Sequence, residues 1–150
     1  MRTMWKTLLG WSAAVVTTGF SGSVVQSQIN LASIAGLGQP LALNDRLSTT
    51  LFDLGSFGPA WAAIVAFGFL PAFLVAGGLG RRWPGARGLL FPLAGLAAVV
   101  TALMVMNAML PVTVVAAART LGGVLLLGAC GALGGWVYLQ VTAQRQNGRI

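Results

Sequence analysis

Between Lys6 and Asp45 the chain carries no charged side chain for 38 residues (7–44), and the gaps that follow are nearly as long. There are 27 uncharged residues between Asp53 and Arg81, 31 between Arg87 and Arg119, and 25 between Arg119 and Arg145. A helix needs about 20 apolar residues to cross a bilayer's hydrocarbon core, so each gap holds one crossing. The spacing predicts transmembrane helices at roughly 7–26, 59–79, 89–110 and 120–141 within one domain, 1–150. Soluble domains carry about 25% charged residues, whereas this chain carries 7%. The expected class is therefore all-α: an integral membrane four-helix bundle. No segment shows the alternating period of about ten residues that a transmembrane barrel strand requires.

Lys and Arg set the orientation. Four crossings put both ends on one side, together with Arg2, Lys6, Arg81, Arg82, Arg87, Arg145 and Arg149, and leave Arg46 and Arg119 opposite. The positive-inside rule then makes both termini cytoplasmic. The net charge of +7 is accounted for by topology; no soluble basic face exists to bind nucleic acid. The turn "GRRWPGARG" is placed against anionic lipid headgroups. Trp5, Trp83, Trp136 and Tyr138 fall near the cytoplasmic boundary and Trp61 near the outer one, as interfacial aromatic belts do. The opening "MRTMWKTLLGWSAAVVTTGFSGS" has the basic start and apolar stretch of a signal peptide, and cleavage would leave three crossings. It lacks the usual alanines at the cleavage site, so it is read as a retained helix.

Both acids of the chain, Asp45 and Asp53, lie in "LNDRLSTTLFDLG", inside the long outer loop 27–58. Leu47, Leu51 and Leu54 recur at helical spacing with Arg46, Thr50 and Asp53 opposite. Asn44 is a candidate cap and Gly55 a candidate terminator. These signs predict a short amphipathic helix in the loop between the first two crossings, lying on the membrane surface or across the bundle top. The preceding "SQINLASIAGLGQPLAL" extends the first helix or forms a shallow re-entrant piece, and "GLGQP" must end whatever helix precedes it. Pro59 suits a helix start, and Pro111 separates the third and fourth helices. Pro71 and Pro92 fall within or near the start of helices. Asp45, Arg46, Asp53 and Arg119 form a candidate outer charge cluster that sums to zero. Its expected contact is an Asp53 or Asp45 carboxylate on the Arg119 fork.

Small residues mark helix contact faces in lipid. They form stripes at Gly10, Ala14, Thr17, Thr18 and Ser21, and at Ala94, Ala98, Thr101, Val105 and Ala108. A third comprises Gly128, Gly131 and Gly135, with a GxxxG from 131 to 135. Asn107 sits on a bulky face with Leu96, Val100, Leu103 and Met104; a carboxamide there needs a headgroup or a protein partner, which makes it a candidate partner contact. Met104, Met106 and Met109 have no Cys or His beside them to make a soft-metal site and read as filler. Cys130 reads as a small buried apolar residue.

The absent chemistry excludes most functions. With no histidine and no glutamate, the chain has no axial haem ligand, no zinc or di-iron ligand set and no nucleophile–base pair. An aspartyl dyad of Asp45 and Asp53 would need its acids in bundle helices. A proton-coupled carrier would need an acid inside a crossing. No cofactor is expected, and no enzymatic activity. What remains is a small non-catalytic inner-membrane protein, an accessory or assembly subunit of a larger membrane complex. The alternative is a small transporter or channel component working as an oligomer. The implied partners are membrane lipid and either a membrane protein or further copies of the chain. In layout alone, four helices with cytoplasmic ends, the chain resembles the small membrane subunits of tripartite solute transporters. Arginine-heavy, alanine-rich usage points to a GC-rich bacterial genome.

Overall fold

The computed structural model describes residues 2–38, 42–109 and 115–143. Pro40, Pro111, Arg145 and Arg149 lie outside the described residues, as does the side chain of Arg2. The described residues form four long α-helices: α1 (Arg2–Ala35), α2 (Leu43–Arg82), α3 (Arg87–Met109) and α4 (Leu121–Ala143). Short 3-10 turns at Pro84–Ala86 and Ala116–Arg119 precede α3 and α4. All four helices are long and apolar enough to cross a membrane. They run antiparallel in chain order, with α1 packed on α2 and α4, and α3 packed on α2 and α4. One end of the bundle carries Lys6, Arg81, Arg82 and Arg87; Asp45, Asp53 and Arg119 belong to the other.

α1 and α2 extend well past the expected crossings, whereas α3 and α4 match theirs within two residues. α1 runs on from residue 26 to Ala35 and stops where expected, just before Gly36–Gly38, with Gly38 at φ +87, the left-handed conformation that glycine adopts without strain. α2 is a single helix of 40 residues, roughly 60 Å at ~1.5 Å per residue. The amphipathic segment expected as a separate loop helix is thus its first part. Gly55 does not end it, and Pro59 lies inside it rather than at its start. Asn44 is not the cap either: the helix begins at Leu43 behind Ala42, which makes no side-chain cap bond. Asp45 instead sits in the first turn, where a carboxylate interacts favourably with the helix dipole.

Glycine sets how closely α4 approaches its neighbours. A Cβ on Gly131 would collide with the Gly95 carbonyl and come within 2.6 Å of Val99 Cγ2, and one on Gly135 would collide with the Phe91 carbonyl. One on Gly128 would sit 3.1 Å from Val100 Cγ2. All three glycines therefore face α3. Gly134 turns the other way, towards α1, where its Cβ would lie 3.0 Å from the Ala14 carbonyl. Beside it, Thr18 Oγ1 donates to the Cys130 carbonyl at 3.2 Å. Backbones this close gain dispersion contacts that lipid cannot match.

α3 meets these glycines with Gly95, set among larger residues. Its buried stripe is Phe91, Gly95, Val99 and Leu103. The expected alanine stripe is not the main contact face. Thr101, Val105 and Ala108 are exposed, while Ala98 turns to α2, its Cβ 3.8 Å from a Cβ built on Gly68. The belt assignments of two aromatics also change. Trp61 is 0% exposed because Gly22 of α1 leaves a slot for its indole. Tyr138 stacks into a cluster with Phe73 (4.6 Å between ring centroids) and Phe91 (4.9 Å). Trp5, Trp83 and Trp136 remain exposed.

Candidate partner-docking hairpin

The two halves of the bundle differ in height. Gly68 lies against Ala98, so in antiparallel helices Met109, at the end of α3, is level with about Phe57 of α2. α2 therefore continues about 14 residues (43–56) beyond α3, roughly 21 Å at ~1.5 Å per residue. α1 accompanies it as far as Ala35. The result is a helical hairpin that stands above α3 and α4 at the end opposite Lys6.

Polar contacts hold the hairpin together. Ser27 Oγ donates to Asp53 Oδ2 at 2.7 Å, and Gln28 Nε2 donates to Thr50 Oγ1 at 3.1 Å. Thr50 in turn donates to the Arg46 carbonyl at 2.8 Å. Thr50 and Asp53, two members of the Arg46/Thr50/Asp53 face predicted from spacing, therefore meet α1. Ser27 is 0% exposed, and a hydroxyl that donates to a carboxylate makes the stronger, charge-assisted kind of bond. One residue earlier, Gln26 Oε1 accepts the Ala117 N–H at 2.9 Å and anchors the 3-10 turn that ends at Arg119. The start of α4 is fixed beside it by Thr120 Oγ1, which accepts the Gly123 N–H at 3.1 Å. Gln26 and Ser27 thus tie the loop before α4 and the acidic face of α2 to consecutive positions on α1. At the foot of the hairpin, Ser23 Oγ and Trp61 Nε1 are buried without a hydrogen-bond partner among the described residues.

The apolar face of the hairpin is open. Leu43, Leu47 and Leu51 are each more than 60% exposed. They occupy the helical stripe that, further down α2, becomes Gly58, Trp61, Val65 and Phe69, all buried. The inward-facing stripe of the bundle thus outruns α3 and α4 and meets no helix of this chain among the described residues.

The other expected site residues fall as follows. Asp45 is exposed in the first turn of α2 and Arg46 is half-buried there; Asp53 is half-buried against Ser27; Arg119 is exposed. Asn107 is exposed in the last turn of α3, beside Met104 and Met109, which are exposed too. Of its expected face, Leu103 is buried in the core and Leu96 and Val100 lean on Gly128. Gln26 and Ser27 were not expected to matter. Their signal is present in "SVVQSQIN", polar residues at helical spacing in an apolar helix that straddle the expected end of the first crossing at residue 26. Compared with family models, with curated proteins and with solved structures, the chain matches none.

Proposed function

We propose that this chain is a non-catalytic, multi-pass accessory subunit of the bacterial inner membrane, with both termini in the cytoplasm. Its projecting hairpin docks a larger membrane-protein partner on the outer side. The observation that carries this reading is the leucine stripe Leu43, Leu47 and Leu51, which continues the core stripe of α2 past the end of α3. Contiguous exposed apolar surface outside a hydrocarbon layer marks an interaction surface. A partner helix or loop seated over the 3-10 turn would complete the bundle there. Asn107, exposed at the same end, supplies a hydrogen-bonding group for that partner or for a headgroup.

The second reading, a small oligomeric transporter or channel component, draws on the buried polar residues Thr18, Ser23 and Gln26 of α1, since polar groups inside a crossing mark solute paths. One experiment separates the two. With a photo-crosslinking residue at Leu47 or Leu51 in intact cells, a single heterologous adduct of constant mass is expected, and none from Phe67, an exposed position further down α2. Adducts only of the chain with itself would sink the accessory reading in favour of the oligomer.

A further inference from the structure

At the basic end a groove of about 730 Å³ opens between α1 and α2. Met4, Trp5, Leu8 and Trp11 form one wall, Phe69, Leu70, Phe73 and Leu74 the other, and Tyr138 the floor. Its size is that of ligand-binding clefts, which run about 300–1,000 Å³. Leu8, Leu70 and Leu74 are exposed along it. It is a lateral opening, so on the membrane-spanning reading above it faces hydrocarbon. Leu70, Leu74, Gly77 and Arg81 recur along α2 at helical spacing, which puts the exposed Arg81 on the groove's own stripe two turns beyond Leu74. Arg82 and Arg87 are exposed at the same end, and both acids of the chain belong to the opposite one.

From this juxtaposition we infer that the groove is a binding site for one anionic glycerophospholipid. An acyl chain lies between Leu8 and Leu70, and the phosphate is held by Arg81. The apolar walls select a chain, and the Arg81 cation selects the headgroup charge. A neutral phosphatidylcholine would gain the first contact and not the second. The site rests on the membrane-spanning part of the proposed function and is independent of the hairpin's partner.

The test is native mass spectrometry of the full chain in detergent, with dioleoyl phosphatidylglycerol or dioleoyl phosphatidylcholine at equal concentration. One retained phosphatidylglycerol per chain is expected, favoured roughly five-fold over phosphatidylcholine, as one basic side chain near a headgroup provides. Arg81→Gln should abolish the preference while leaving an adduct. Leu8→Trp with Leu70→Trp, which fills the groove, should remove both adducts. Equal retention of the two lipids by the unmodified chain, or adducts that survive the filled groove, would overturn the site. So would a dimer that disappears on filling, because a second copy would then be the occupant. Failure of the unmodified chain to reconstitute into phosphatidylglycerol vesicles would overturn the membrane reading, and the site with it.

Discussion

Gly131→Ala should lower the thermal unfolding temperature in detergent, and Gly122→Ala, on the same helix, should not. The two substitutions add the same methyl group to α4. At Gly122 nothing lies within 4 Å of the new atom, so the change keeps only the helix-propensity advantage of alanine, up to about 1 kcal/mol. At Gly131 the atom would strike the Gly95 carbonyl and Val99 Cγ2. Backbone cannot rotate out of the way as a side chain can, so α3 and α4 must separate along their length. Overpacking of this kind costs about 1–3 kcal/mol, and Gly131→Val should cost more. Equal melting temperatures for the two alanine variants would mean that α3 and α4 do not cross at these glycines.

The second large effect is expected at the Ser27–Asp53 hydrogen bond. Ser27→Ala should destabilise the fold by about 1.5–3 kcal/mol, the range for hydrogen bonds to charged groups, because it leaves a half-buried carboxylate without its hydroxyl. Asp53→Asn should cost less, since the carboxamide oxygen still accepts from Ser27. In combination the effects should fall short of their sum, which is the signature of direct contact. The parallel cycle of Asp53→Asn with Arg119→Gln measures any coupling between the carboxylate and the guanidinium expected from charge alone. Additivity in a cycle of Ser27→Ala with Asp53→Ala, in which each change removes the contact, would show that α1 and α2 are not joined there.

Much of this architecture is legible in the sequence. Apolar run length is a one-dimensional property, and four runs without charge translate directly into four long helices. Gly38 is legible as a helix stop because a left-handed residue leaves few alternatives. The continuity of α2 is harder to read. Gly55 and Pro59 are strong local breakers, and what overrides them is tertiary: the segment before them is fixed to α1 through Ser27 and Gln28, while Gly58 between them and Trp61 beyond them pack against α1 at Ser23 and Gly22. Propensity yields to packing in this way throughout folded proteins.

The faces of α3 are illegible for a related reason. A small-residue stripe is a contact face only when it is turned towards the opposing helix. Here α4 brings Gly128, Gly131 and Gly135 to α3, so the larger stripe Phe91–Val99–Leu103 is buried against it. Trp61 and Tyr138 look like interfacial aromatics because their positions along the helices suit a belt. Their burial depends on Gly22 and Gly10 on another helix, which no local pattern reports. The site is less legible than the fold. Asp53 stands out by its charge, but its serine partner is 26 residues away, and Leu43 is significant only because α3 ends early.

The central claim is that four crossings place the hairpin outside and the Arg81–Arg87 turn inside. Cysteine labelling in intact cells tests it most directly, in a Cys130→Ala background. Ser48 is exposed and lies about 100° around the helix from Leu47, so it stays accessible with a partner on the leucine stripe. Ser48→Cys should react with a membrane-impermeant maleimide added outside, and Arg82→Cys only after the cells are permeabilised. Labelling of Arg82→Cys in intact cells, with Ser48→Cys protected until permeabilisation, would invert the topology and contradict the account.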